Sequence, residues 1–238
     1  LALSPGDGES PEAFAGKILA QVHSLETRGA LKLTGGFGAD SLKGMKTFFS
    51  VQGGRSSGNC VACHAPPLFS DLSFHNLGVS QSEYDGIHGE GSFASLAVPR
   101  AADAIRPSPR FREIPTRKNA AYADLGYWNF AKLDSRLRRA AESDDQFLER
   151  MVATFKTPTL RNLAFSRPYM HNGAFATLES ALDEIMRLSA LARSGRVRAA
   201  DDEIMKVRFT EADVPPLIAF LNALNDSTPA RAARITQK

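Results

Sequence analysis

Both cysteines of this 238-residue chain fall in one five-residue run, Cys60-Val61-Ala62-Cys63-His64. No other feature restricts the fold as much, because each chemistry open to the run makes its own demand on the surroundings. A disulfide across a two-residue gap closes only a tight, strained loop. Structural zinc takes four ligands, and no second Cys/His pair stands at finger spacing. A thioredoxin-like dithiol follows a strand in a βαβ unit, and no such pattern surrounds these residues. Covalent haem attachment explains each residue. Two thiols on one helical turn add to the two vinyl groups, and the next residue, His64, points its imidazole at the iron. Cys60, Cys63 and His64 are therefore expected to hold one covalent haem c, with His64 as a metal ligand. Such attachment is usually completed outside the cytoplasm, so a periplasmic or otherwise exported location is expected.

Composition sets the outer bounds. Hydrophobic residues make up 43% and charged residues 23%, the balance of a globular chain. No apolar run approaches the ~20 residues of a membrane helix, so no membrane span is expected. The chain opens on Leu1 without an apolar signal segment, which implies a removed signal or a late start. The net charge is +3, with local basic clusters at Arg138 and Arg139 and at Arg193, Arg196 and Arg198. Solvated helix faces are the plainer account of these clusters. A docking surface for an acidic redox partner is the other. No nucleic-acid motif accompanies them, so nucleic acid is not an expected partner.

Helical periodicity dominates the chain. Phe14, Ile18, Val22 and Leu25 predict a helix over 11–28, started at Ser10-Pro11 and ended by Gly29. Leu42, Met45, Phe48 and Phe49 predict another over 41–49, and Gly53, Gly54 and Gly58 then lead into the Cys-His turn. Pro66 and Pro67 stop the helix that holds His64. Residues 83–121 show little periodicity and read as a long loop. A polar helix is expected over 134–152. Thr177 caps a helix reaching Leu191, with Leu178, Ala181, Leu182, Ile185 and Leu188 on its buried face. Thr210 and Asp213 form a capping box, and Pro215 and Pro216 fit the first turn of the last helix. No alternating segment supports a substantial sheet. The expected class is mainly α: a cytochrome c-like helical domain over 41–226 with long irregular loops around one covalent haem. An N-terminal extension and helix over 1–40 precede it, and a tail over 227–238 follows.

Several blocks carry a family resemblance. Asn59 to His64, Leu68-Phe69-Ser70-Asp71, and Phe74-His75-Asn76-Leu77-Gly78-Val79 resemble the bacterial cytochrome c peroxidase and MauG family. So do Phe155 to Asn162, and Pro168-Tyr169-Met170-His171-Asn172-Gly173 with Ala176-Thr177-Leu178-Glu179 behind it. The blocks keep family order and look like the second, C-terminal haem domain of a normally two-haem protein. In the family that domain holds the higher-potential, electron-transferring haem, and the first domain holds the haem where peroxide reacts. This chain has one Cys-x-x-Cys-His and no first domain, so the resemblance does not carry peroxidase activity with it.

The resemblance also implies site residues. A family Met or Tyr ligand lies eight residues past the Thr of the Ala-Thr-Leu-Glu block. That position is Ile185, which cannot bind iron. Met186 follows it, and because an α-helix turns about 100° per residue it needs a shifted helix or a π-bulge to reach the metal. Met186 is the favoured sixth ligand. Met170, Met205, a His or an open site are the alternatives, and core filling is the ordinary role of any Met. By resemblance His171 lies near the haem edge. Arg161 is a candidate propionate partner, because its fork of donors suits a carboxylate. His75 reads as a loop clamp. The carbonyls of Ser166 and Pro168 align with a family calcium site, which makes calcium a minor candidate. Trp128 is expected in the core.

The leading expectation is a c-type cytochrome passing single electrons to or from a partner redox protein or subunit. No residue set for general acid/base or nucleophilic chemistry stands out. An open-site haem peroxidase or MauG-like oxidase is the first alternative. A haem-bearing structural subunit of a larger complex is the second.

Overall fold

The computed structural model describes residues 5–51, 56–103, 107–131 and 135–226. The expected tail over 227–238 and the loop glycines Gly53 and Gly54 lie outside them. The chain is mainly helical. Its helices are α1 (Pro11–Thr27), α2 (Ala39–Phe49), α3 (Val79–His88), α4 (Asp144–Arg150), α5 (Leu178–Arg193), α6 (Asp202–Met205) and α7 (Val214–Asn222). Two short strands, β1 (Phe74–His75) and β2 (Phe155–Lys156), pair antiparallel, His75 opposite Phe155.

Local chemistry sets the helix ends. Ser10 accepts from the Ala13 N–H at the start of α1, and Thr177 accepts from the Ser180 N–H at the start of α5. The Thr210/Asp213 box is present on a 3₁₀ turn, Glu211–Asp213, that runs straight into α7. Each cap satisfies N–H groups that have no partner inside the helix. Helix α2 lies directly on α7. Gly44 makes this possible, since a Cβ there would collide with the backbone of Pro216 and Leu217. Phe48, Phe49, Phe69 and Phe220 meet at this crossing, edge-to-face except for the tilted Phe48–Phe220 pair. Phe14, Ile18 and Val22 of α1 close the same core, each no more than 3% exposed.

Two expectations change. The region 83–121 is not all loop: its first residues belong to α3, which ends at Gly89 (φ +97°). Its aromatic residues then join a second core with Leu125, Trp128, Phe147 and Val152. Periodicity missed this core because widely spaced aromatic residues, rather than a regular face, build it. The helix expected over 134–152 is broken. Ser135–Leu137 is a 3₁₀ turn, and α4 starts only at Asp144. Ala141 takes a left-handed conformation (φ +60°), and the Ser143–Gln146 capping box starts α4 afresh. Asp134 falls outside the described residues. Trp128 is fully buried against Phe111, as a core residue.

No helix among the described residues is long and apolar enough to cross a membrane.

Candidate functional site

The Cys-His run enters on a tightly held backbone. Gly58 donates to the Thr47 carbonyl (2.9 Å) and Asn59 to that of Ser50 (2.9 Å), at the end of α2. The Asn59 amide donates to the backbone and the carboxylate of Glu203 on α6 (3.0 and 2.9 Å). Cys60–Ala62 then forms a single 3₁₀ turn, shorter than the helix expected there. Cys63 N–H and His64 N–H both donate to the Cys60 carbonyl (3.3 and 2.8 Å). Both thiols and the imidazole therefore sit on one turn. The cysteines are free.

Beyond the turn the chain doubles back. Asp71 N–H donates to the Cys63 carbonyl (2.8 Å). The block over 155–162 lies against this loop: Ser70 Oγ donates to the Thr157 carbonyl, Thr159 Oγ1 to that of Leu68 and Arg161 Nε to that of Pro67. The ring of His64 is fixed by the same loop, Nδ1 lying 2.9 Å from the Phe69 carbonyl. A carbonyl only accepts, so Nδ1 carries the proton and Nε2 holds the free lone pair. Metal-binding imidazoles are oriented in this way. Burial holds the ring's pKa below the usual imidazole range, which keeps it neutral.

The two thiols differ. Cys60 packs on the main core, and burial pushes its pKa up to about 12. Cys63 Sγ lies within 4.8 Å of a carboxylate oxygen of Asp71 and a ring nitrogen of His75. That trio has the composition of a metal site, but His75 is already committed. Its Nε2 bonds Asp71 (2.8 Å) and its Nδ1 bonds Asp201 (2.7 Å). Burial alone would lower its pKa, yet the two carboxylates, Asp201 foremost, push it up to about 12. An imidazolium with both nitrogens donating has no lone pair for a metal.

A haem fits this donor set. The thiols and the imidazole share one turn, and His64 presents Nε2. Leu68 and Leu72, on the loop after it, are 52% and 54% exposed.

The remaining expected site residues are dispersed around this turn. Met186, Ile185 and Met205, like Cys60, pack against the core that includes Val61 and Phe69. Met170 sits in a left-handed turn (φ +65°). Arg161 is exposed, with its guanidinium 5.5 Å from the centre of the Phe69 ring. His171 stacks on Phe155 (3.5 Å, 11°), and burial lowers its pKa to about 4. Asn172 donates to Glu83 of α3, and Glu83 Oε2 lies 3.9 Å from His171 Nε2. Burial raises the Glu83 carboxyl to about 7. Sequence reasoning missed Glu83, Asp71 and Asp201 as site neighbours. Asp71 stood in a recognised block, while Asp201 lies 126 residues from His75 and gave no signal.

The basic clusters are occupied internally. Arg198 makes a two-pronged contact with Glu149, Arg196 pairs with Glu90, and Arg138 with Asp144. A cleft of about 630 Å³ between α3 and α5 is lined by Glu90, Arg196 and Arg198 among others and stands apart from the Cys-His turn.

Two thiols and an oriented imidazole on one turn of a mainly helical chain resemble the attachment site of a c-type haem. More particularly, its curated homologues are cytochrome c peroxidases and MauG proteins. No family model matches the chain. It is 27% identical over 172 residues to cytochrome-c peroxidase IdrP1 of Denitromonas iodatirespirans, covering 71% of this chain and 38% of that protein. It is 26% identical over 198 residues to the methylamine utilization protein MauG of Methylorubrum extorquens, covering 83% and 38%. Among solved structures, a MauG-like protein associated with microbial copper homeostasis matches with 22% identity and a TM-score of 0.45, over 88% of this chain and 50% of that one. The chain thus spans little more than a third of the length of these two curated relatives.

Proposed function

We propose that the chain is a c-type cytochrome that passes single electrons through one covalent haem. In this reading Cys60 and Cys63 form the thioethers, His64 Nε2 binds the iron and Met186 completes the coordination. The bound haem supplies a one-electron ferric–ferrous couple. The protein's own part is to orient His64 through the Phe69 carbonyl, keep that imidazole neutral and exclude water with the Phe48, Phe69 and Phe220 cluster. The haem domain spans 41–226, with Arg161 and His171 at the haem edge.

The observation that carries the reading is the His64–Phe69 hydrogen bond, which leaves Nε2 as the ligand atom beside two free thiols. Met186 adds support, because it packs on the same core as Cys60. Electrons come from or go to a partner redox protein outside the cytoplasm. The exposed Leu68, Leu72 and Phe165 (60%), with exposed Arg161 and Arg167 near them in the chain, offer a docking surface of mixed apolar and basic character.

The test is the spectrum of the reduced protein with and without carbon monoxide. A Met-ligated haem is closed and takes the gas slowly, while Met186→Ala opens it. Rapid gas binding by the unaltered protein overturns the closed site. It would favour the second reading, an open-site peroxidase or MauG-like oxidase. Ile185 at the expected ligand position and the named activity of the relatives favour that reading, and turnover of peroxide with a reduced cytochrome would establish it.

A further inference from the structure

His75 is bound more heavily than a structural clamp requires. One carboxylate suffices to hold an imidazolium, and His75 has two, on opposite sides of its ring. They come from separate parts of the fold. Asp71 follows the Cys-His turn. Asp201 caps α6, its other oxygen accepting from the Glu203 N–H (2.9 Å). Burial works to protonate both carboxyls, but His75 together with the N–H groups of Ser73 at Asp71 and Glu203 at Asp201 outweighs it and holds both pKa values below the usual range. The three groups together therefore carry one net negative charge, and two of them, Asp71 and His75, have a ligand atom within 4.8 Å of Cys63 Sγ.

We propose that the Asp71–His75–Asp201 triad, standing at Cys63, sets the ferric–ferrous balance of the attached haem through its net charge. The inference rests on the haem reading above. Reduction adds one electron, supplied by a one-electron donor or an electrode, and lowers the charge of the iron site by one. A fixed negative charge at the thioether therefore favours the ferric state. The partly buried setting of His75 and Asp201 limits screening by solvent and salt. The three residues are positioning residues, since none is a ligand of the iron.

The experiment is a mediated redox titration of the exported holoprotein at pH 7, with variants that alter the charge in opposite directions. Asp201→Asn removes a negative charge and should move the equilibrium severalfold toward ferrous haem, raising the potential. His75→Gln removes the positive charge and should move it severalfold the other way. His75→Arg, which keeps a cation between the carboxylates, should return the potential toward that of the unaltered protein. Should Asp201→Asn fail to fold, Asp71→Asn removes the other carboxylate at a more exposed position. A purely structural triad shifts every variant in one direction, or none; either result overturns the proposal. If the unaltered protein carries thioether-bound haem but the potentials do not follow the charge, only this inference fails. If it carries none, the haem reading fails, and this inference fails with it.

Discussion

The residues around the Cys-His turn act through their hydrogen bonds and charge states. His64 is the clearest case: its carbonyl partner selects the tautomer that leaves Nε2 free. Glu83 and His171 show the opposite use of burial. Glu83 is raised to about 7 from 4.5, so it folds most favourably when protonated. The stability it contributes at low pH is lost as pH rises through about 4.5 to 7. His171 is lowered to about 4 from 6.5, so its stability is full above 6.5 and lost as pH falls toward 4. Glu83→Gln keeps the acceptor for Asn172 and removes the charge. It should stabilise the fold by roughly 1 kcal/mol at pH 8 and leave it unchanged near pH 4.5. Urea unfolding at the two pH values reads this directly, and an equal effect at both would contradict it. His75 has the sign of a gained partner: its stabilisation is full below about 6.5 and fades as pH climbs toward 12.

At the scale of elements, the signals that worked were those with a local mechanism. Ser10, Thr177 and the Thr210/Asp213 box marked three helix starts because each side chain reaches an N–H only two or three residues away. The same logic shortens α4, which the Ser143 box starts afresh well after the expected beginning. Ser143→Ala should cost about 1 kcal/mol, seen as a lower urea midpoint with an unchanged slope. Long-range features were less legible. Nothing in the sequence announces that Gly44 meets the Pro216 backbone, since that need arises only when α2 and α7 cross. Gly44→Ala should destabilise by about 3 kcal/mol or more, because neither backbone can yield without moving a helix. A loss under 0.5 kcal/mol would contradict the close crossing. Gly126 (φ +57°) plays a similar part in the second core, beside the Thr154 carbonyl.

At the scale of the whole molecule, two cores among the described residues share the work. The first gathers α1, α2, α5 and α7 behind the Cys-His turn, and the second packs the irregular 84–153 region. Asn76 joins them, its amide donating to the carbonyls of Val152, Arg198 and Ala199. Helix α1 is part of the first core, with Ile18 3% exposed, so Ile18→Ala should cost about 3 kcal/mol in urea unfolding. The haem motif and the family blocks were legible because they are contiguous. The second core and the Asp201 partner of His75 were not, because their members meet only in three dimensions. The central claim concerns Cys60, Cys63 and His64, and one measurement tests it most directly: the intact mass of the exported, denatured protein, taken with its alkaline pyridine spectrum. The account predicts one haem per chain that survives denaturation, with the band position of a two-thioether attachment. A chain at its bare polypeptide mass, or one that releases its haem on unfolding, would contradict it.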